Sequence, residues 1–354
     1  MNVATGAALA VIAGAVNGLF ALPMKVNRGW EWENSWLPFS LLSMALFPWL
    51  IAFRTTPELR VAYSQVNGEY LGIAVLWGAI VYGGSLLFGV SLGYIGTALA
   101  FALLVGFMSI VGVLLPIILF SPEVLHSEGG RWILGGIVCL LISLVVSMVA
   151  GKLKEKAQGG ENTSGIGDQT RKSAWVGMVL AGLGGALSGL LSLGMNMQWA
   201  TSIRAAAVQF GSAQPSHATN AVLALVLLGG AIPNMGYCTY LLLKRNTLAR
   251  YGQADSGRFW LMVGLMSVMY SGSVALWGVA ISESMLGPLG PSVGWALFIG
   301  TIVISSNIGG FGTGEWRNAG RRAIGLMAVG LSLVIFAMVL IGYGNSLSSQ
   351  ISGN

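Results

Sequence analysis

The sequence predicts an all-α integral membrane protein, with ten transmembrane helices arranged as two inverted five-helix repeats. Three observations carry that expectation. The 354 residues are 55% hydrophobic and only 8% charged, with a mean hydropathy of +0.76, whereas a soluble domain carries about 25% charged residues. Ten apolar runs reach the length of about 20 residues that a bilayer-crossing helix needs. Short stretches of sequence also recur, in order, on either side of one long polar interruption.

The ten runs fall near residues 2–24, 35–53, 70–91, 95–120, 131–150, 173–199, 218–243, 258–281, 292–311 and 321–343. Residues 1–24 hold no basic segment ahead of the apolar run, and the first lysine is Lys25. The first run is therefore expected to stay as a helix and not to serve as a cleaved signal. The 52 glycines follow no collagen-like period; in membrane helices they let backbones approach closely. Cys139 and Cys238 lie far apart in apolar runs and fit no metal or redox spacing. No cofactor or metal is expected.

The interruption "KLKEKAQGGENTSGIGDQTRK", residues 152–172, is rich in charge, Gly and Ser and is expected to be a cytoplasmic linker. It separates a first five-helix repeat, 1–151, from a second, 173–354. "GAVNGLFALPMK" (14–25) aligns with "GALSGLLSLGMN" (185–196), identical at six of twelve positions. "YGGS" (82–85) matches "YSGS" (270–273), "GR" at 130–131 matches "GR" at 320–321, and Pro48 pairs with Pro233. Spans four and nine give no such match.

A unit with an odd number of crossings leaves its second copy upside down. The basic residues agree: 14 of the 18 Lys and Arg residues follow spans 1, 3, 5, 7 and 9. The positive-inside rule places those connections in the cytoplasm and both termini outside. The net charge of +6 then records topology, and no nucleic-acid partner is expected. Inverted repeats are a frequent architecture of secondary transporters, which hold substrate near the midplane between the halves.

No Asp, Glu, Lys or Arg falls at the centre of a span, where a charge costs roughly 2.5–3.5 kcal/mol. The polar residues there are neutral: Asn17, Tyr82, Asn234, Tyr270, Asn307 and several serines. Such groups suit a neutral polyol, whose hydroxyls need paired donors and acceptors in a dry site. Interhelical hydrogen bonding is the plain alternative. Trp277, seven residues after Tyr270 on the same helical face, is the preferred platform for stacking a sugar, with packing as its alternative. Asn196 and Gln198, at the end of the sixth run, complete the candidate substrate-binding set. For proton coupling the candidates lie near span ends, foremost Glu33 and Lys25. A switchable Lys25–Glu33 pair competes with the simpler reading of interfacial charges in a short loop.

"WEWEN" (30–34), "SEGGR" (127–131), "GGAIPNMGYC" (229–238) and above all "EWRNAGRR" (315–322) resemble the L-rhamnose–proton symporter family of the drug/metabolite transporter superfamily. The resemblance runs in order from the first span to the last. It implies the drug/metabolite transporter fold, with import of L-rhamnose, or a related sugar, together with protons across a bacterial inner membrane. It also implies that Glu33, in "W-x-W-E", and Lys25 match family positions. "GSLLFGVSLGYIG" and "YSGSVALWG" depart from the better-known members in spans expected to line the cavity, which leaves a related deoxysugar or pentose open. An exporter or exchanger of another small polar metabolite is the same-fold alternative. An intramembrane enzyme is disfavoured, because His126 and His217 lie near span ends and no Ser–His or metal-spaced set appears.

Overall fold

The computed structural model of the chain describes residues 3–26, 29–158, 168–253 and 256–351. Among the described residues every regular element is helical. Ten helices among the described residues are long and apolar enough to cross a membrane: Val3–Met24, Trp32–Thr55, Gly68–Ile95, Thr97–Phe120, Glu128–Ala157, Ala174–Gly194, Thr219–Arg245, Ser256–Ala280, Gly290–Gly312 and Arg321–Ser348. They are numbered here as spans 1 to 10, and each falls on an expected apolar run.

The departures from expectation have local causes. Span 2 starts at Trp32, a turn earlier than hydropathy suggests, because polar residues form its first turn. There the Glu31 backbone N–H donates to Asn34 Oδ1 at 3.2 Å, a reciprocal-type helix start. Span 6 ends at Gly194, and a separate helix, Gln198–Gln209, follows after extended Met197. That helix buries Trp199, Ala200, Ile203, Ala206 and Ala207. The three-to-four spacing marks an amphipathic surface helix, not the tail of a span. Spans 2 and 4 each contain a widened turn, Leu41–Leu46 and Ile110–Leu114, just ahead of Pro48 and Pro116. A proline ring crowds the carbonyl one turn back and offers no N–H, and a locally looser winding relieves both problems.

The chain forms two compact units, Met1–Gly83 with Gly194–Gly290, and Gly84–Leu193 with Pro291–Asn354. Each unit therefore draws on both halves of the sequence. The first contains spans 1, 2, 7 and 8, the start of span 3 and the Gln198–Gln209 helix. The second contains the rest of span 3 and spans 4, 5, 6, 9 and 10.

In the first unit, spans 3 and 7 meet backbone to backbone. A Cβ on Gly78 would strike the Val226 carbonyl, and one on Gly229 would strike the Val75 carbonyl. Gly230 makes room in the same way for the ring of Tyr82. Gly229→Val should therefore force the two spans apart. We expect a loss of at least about 2–3 kcal/mol, read as a melting temperature lower by ~5–10 °C. Gly236→Ala on the same span, where a Cβ would meet nothing within 4 Å, should melt like the parent protein.

Candidate functional site

The interior of the first unit holds a chain of neutral polar groups contributed by five spans. Trp36 on span 2 donates its indole N–H to Asn234 Oδ1 on span 7 at 3.2 Å. The amide nitrogen of Asn234 donates to the Gly230 carbonyl at 2.9 Å and reaches the Tyr82 carbonyl of span 3 at 3.5 Å. The Tyr270 hydroxyl on span 8 donates to the Tyr82 hydroxyl at 3.1 Å. One turn on, Ser273 Oγ donates to the Tyr270 carbonyl at 2.7 Å and accepts from Asn17 Nδ2 of span 1 at 2.8 Å. Asn234 is completely buried, and its three contacts account for most of the bonds a carboxamide can make.

Helical spacing explains why these groups share faces. Tyr270 and Ser273 are three apart, as are Asn17 and Phe20, while Trp32 and Trp36 are four apart. The same faces carry an aromatic cluster. Phe20 stacks on Phe39 at 5.4 Å, and Trp36 lies 4.8 Å from Phe39. Tyr270 meets Phe20 and Phe39 at 5.2 and 5.5 Å. Trp32 stacks on Trp36 at 5.4 Å and lies 6.2 Å from Tyr237. Trp36 and Tyr270 are only half-buried. Indole and phenol rings beside an amide and hydroxyls offer flat apolar faces together with donors and acceptors, and no net charge.

The "WEWEN" stretch docks on the residues that follow span 7. Glu33 is 0% exposed; its carboxylate meets Arg245 at 3.1 Å and accepts from the Thr247 hydroxyl at 3.1 Å. Asn34 Nδ2 donates to the Thr247 carbonyl at 2.9 Å. Arg250 pairs with Glu31 at 2.8 Å and donates to the Gly29 carbonyl at 3.0 Å, while the Trp30 indole donates to the Arg250 carbonyl at 3.2 Å. Asn246 takes the left-handed conformation, φ 53°, that ends span 7 and turns Thr247 back toward Glu33. Trp30 packs against Tyr251, Phe259 and Trp260 at 5.1–5.4 Å. Burial, with the nearby Glu33 charge adding to it, pushes the Tyr251 phenol up to about 12.

Of the residues singled out from sequence, Asn17, Tyr82, Asn234 and Tyr270 come together in this one network. Trp277 is 1% exposed in the packed far end of span 8. Asn196 lies in the turn after span 6, and Gln198 is the exposed first residue of the following helix. Asn307 belongs to the second unit, where its amide donates to the Val303 carbonyl of its own helix at 2.8 Å. The backbone of Lys25 lies in the short helix Leu22–Val26; its side chain is outside the described residues. Three members of these clusters were not singled out from the sequence: Trp36, Arg245 and Thr247. The sequence places Arg245 at the end of a span but gives no sign of which acid it meets.

Deeper toward the other end of span 2, a small cavity is lined by Pro48, Ile51, Asn220, Leu223 and Ser271 among others. The buried Asn220 Oδ1 there has no hydrogen-bond partner among the described residues, the usual signature of a place for a water molecule. Among the described residues, no three of His, Cys, Asp and Glu gather as metal ligands.

The L-rhamnose-proton symport protein (RhaT) family model matches residues 1–347. The chain belongs to this family. L-rhamnose-proton symporters of Citrobacter koseri and Salmonella paratyphi B are each 27% identical, over 341 and 343 residues, covering 94% of this chain and 96% of each relative. The symporter of Salmonella newport is similar to the same degree. One solved crystal structure superposes with a TM-score of 0.54 over 95% of this chain and 96% of its own, at 14% identity, a likeness of fold alone. Membership of the symport family makes this a multi-pass membrane transporter and not an enzyme.

Proposed function

We propose that the protein imports L-rhamnose, or a closely related deoxysugar or pentose, with protons across a bacterial inner membrane by alternating access. The observation that carries this reading is the neutral network of Asn17, Tyr82, Asn234 and Tyr270, edged by half-buried Trp36, in a chain matched to the symport family along its length. Sugar hydroxyls would exchange water for these amide and phenol groups, and the apolar face of the ring would lie on an indole. In this proposal the ten spans are two inverted five-span repeats, 1–151 and 173–354, joined by the 152–172 linker, with both termini periplasmic.

Glu33 is the proposed proton carrier, with Arg245 as the cation that meets it and Lys25 as a second cation reached from the same connection. Protonation would cancel the attraction to Arg245 and free the start of span 2 to move against the end of span 7. One proton moving down the membrane potential supplies roughly 2.3 kcal/mol per 100 mV, enough to concentrate a neutral sugar by tens of fold. Coupling then requires that the loaded, protonated form and the empty, deprotonated form reorient while mixed forms do not.

The test is uptake into proteoliposomes across a panel of deoxysugars and pentoses, with internal pH followed in the same vesicles. L-rhamnose or a near relative should enter with acidification of the lumen. Alkalinisation coupled to entry, or no sugar in the panel moving protons, overturns the symport reading in favour of exchange or export of another metabolite.

A further inference from the structure

In the second unit, spans 5 and 10 run side by side, with Gly129 against Gly344 and Gly136 against Ile341. This pairing brings the end of span 5 to the start of span 10. Lys154 lies 3.9 Å from the Glu315 carboxylate and 4.9 Å over the Trp316 ring. Gln158 Nε2 donates to the carbonyls of Glu315 and Arg317 at 2.7 and 2.9 Å. These contacts hold the "EWRN" turn, with Gly314, Asn318 and Gly320 at φ of 79°, 67° and 79°, against the last turns of span 5.

Around this junction the side chains of Lys152, Lys156, Arg317, Arg321 and Arg322 are exposed. Among the described residues none of the five has an ion pair. The two acids close by are already engaged. Glu155 accepts from the Thr97 hydroxyl at 2.6 Å and the Ala98 N–H at 3.2 Å, and Glu315 faces Lys154. Topology alone would leave cations on this side of the bilayer, yet at the end of span 7 the arginines behave differently: Arg245 and Arg250 are matched to Glu33 and Glu31. Span 5 has 30 residues, or about 45 Å of helix against a hydrocarbon core of about 30 Å. Its lysine-bearing turns therefore stand at headgroup height.

We propose that this junction binds an anionic phospholipid carrying two phosphates, of the cardiolipin class, seated across the ends of spans 5 and 10. Two phosphates match a patch whose cations come from two helices. The arginine forks bind phosphate oxygens in pairs, and the lysines add charge at the membrane surface. The site is independent of the sugar and proton reading, because it uses none of those residues.

Native mass spectrometry of the purified full chain tests it, with cardiolipin, phosphatidylglycerol, phosphatidylcholine or inorganic phosphate added in detergent. Cardiolipin adducts should exceed phosphatidylcholine adducts and survive millimolar phosphate. The R317Q/R321Q/R322Q variant should lower cardiolipin occupancy at least about tenfold, and the corresponding lysine variant should fall between it and the parent. K152Q/K156Q, confined to the exposed face of span 5, should also weaken the adduct and serves as the test if the arginine variant does not fold. Equal adducts with phosphatidylcholine, unchanged cardiolipin binding in both variants, or displacement by inorganic phosphate overturns the proposal.

Discussion

Glu33→Gln is expected to lower the sugar accumulation ratio in energised vesicles from tens of fold to about one, while sugar counterflow without a proton gradient persists. The tens-of-fold figure is what one proton yields from a potential near 100 mV. Glutamine keeps the shape and can still accept from Thr247, but it carries no proton to deliver and exerts no charge on Arg245. A purely structural role for the pair predicts something else: counterflow and accumulation fall together, with a lower melting temperature. The partner variant separates the two readings. Arg245→Gln would leave the 0% exposed Glu33 carboxylate with Thr247 as its remaining partner of the two seen here. Removing one member of a buried pair typically costs about 3–5 kcal/mol, and the 54% exposure of the Arg245 side chain reduces that figure because water already shares the guanidinium. The Glu33→Gln/Arg245→Gln double variant should consequently melt higher than Arg245→Gln alone. Accumulation by Glu33→Gln matching the parent protein removes Glu33 from the coupling proposal.

The membrane class and the number of spans were legible because they depend on composition and run length, which tertiary packing does not alter. The helix Gln198–Gln209 was not legible by the same criterion. Only Gln198 and Trp199 fell within the sixth run, 173–199, and the rest of its apolar stripe, Ala200 to Ala207, is too short and too mixed with polar residues for a window of hydropathy to register. Among the candidate residues, Tyr82, Tyr270, Asn17 and Asn234 share one network because a buried amide or phenol must be satisfied wherever it lies. What the sequence withheld was pairing. Glu33 was singled out as a carboxylate at a span mouth, but its neighbour Arg245 lies 212 positions away, and nothing local in "LLLKRNT" announces that Asn246 turns left-handed and folds Thr247 back onto the acid. Trp36 was hidden by a different ambiguity: a tryptophan near a span end reads as an interfacial anchor, and only its indole bond to Asn234 joins it to the network. The composition of the two compact units is likewise invisible in linear order, since each unit takes spans from both halves of the chain.

Asn234→Leu carries the second large expected effect. The side chain it replaces is the meeting point of spans 2, 3 and 7, accepting from Trp36 and donating toward Gly230 and Tyr82. Leucine fills a similar volume but strands the Trp36 indole N–H and removes the amide offered to cargo. Each buried polar group left unmade costs about 1–3 kcal/mol, so sugar uptake at low concentration should fall by roughly 10- to 100-fold. Tyr270→Phe tests the neighbouring link more gently. It deletes one hydroxyl, bonded to Tyr82 at 3.1 Å, and a single hydrogen bond of about 1 kcal/mol predicts a loss near fivefold. If the network holds cargo, both losses should appear chiefly in the sugar concentration giving half-maximal counterflow, and saturating sugar should recover much of the Tyr270→Phe rate. A network that only joins helices predicts the opposite pattern, an unchanged half-saturation with fewer folded molecules. Asn234→Leu protein that melts like the parent and takes up sugar within twofold of it would remove this amide from the proposed binding site.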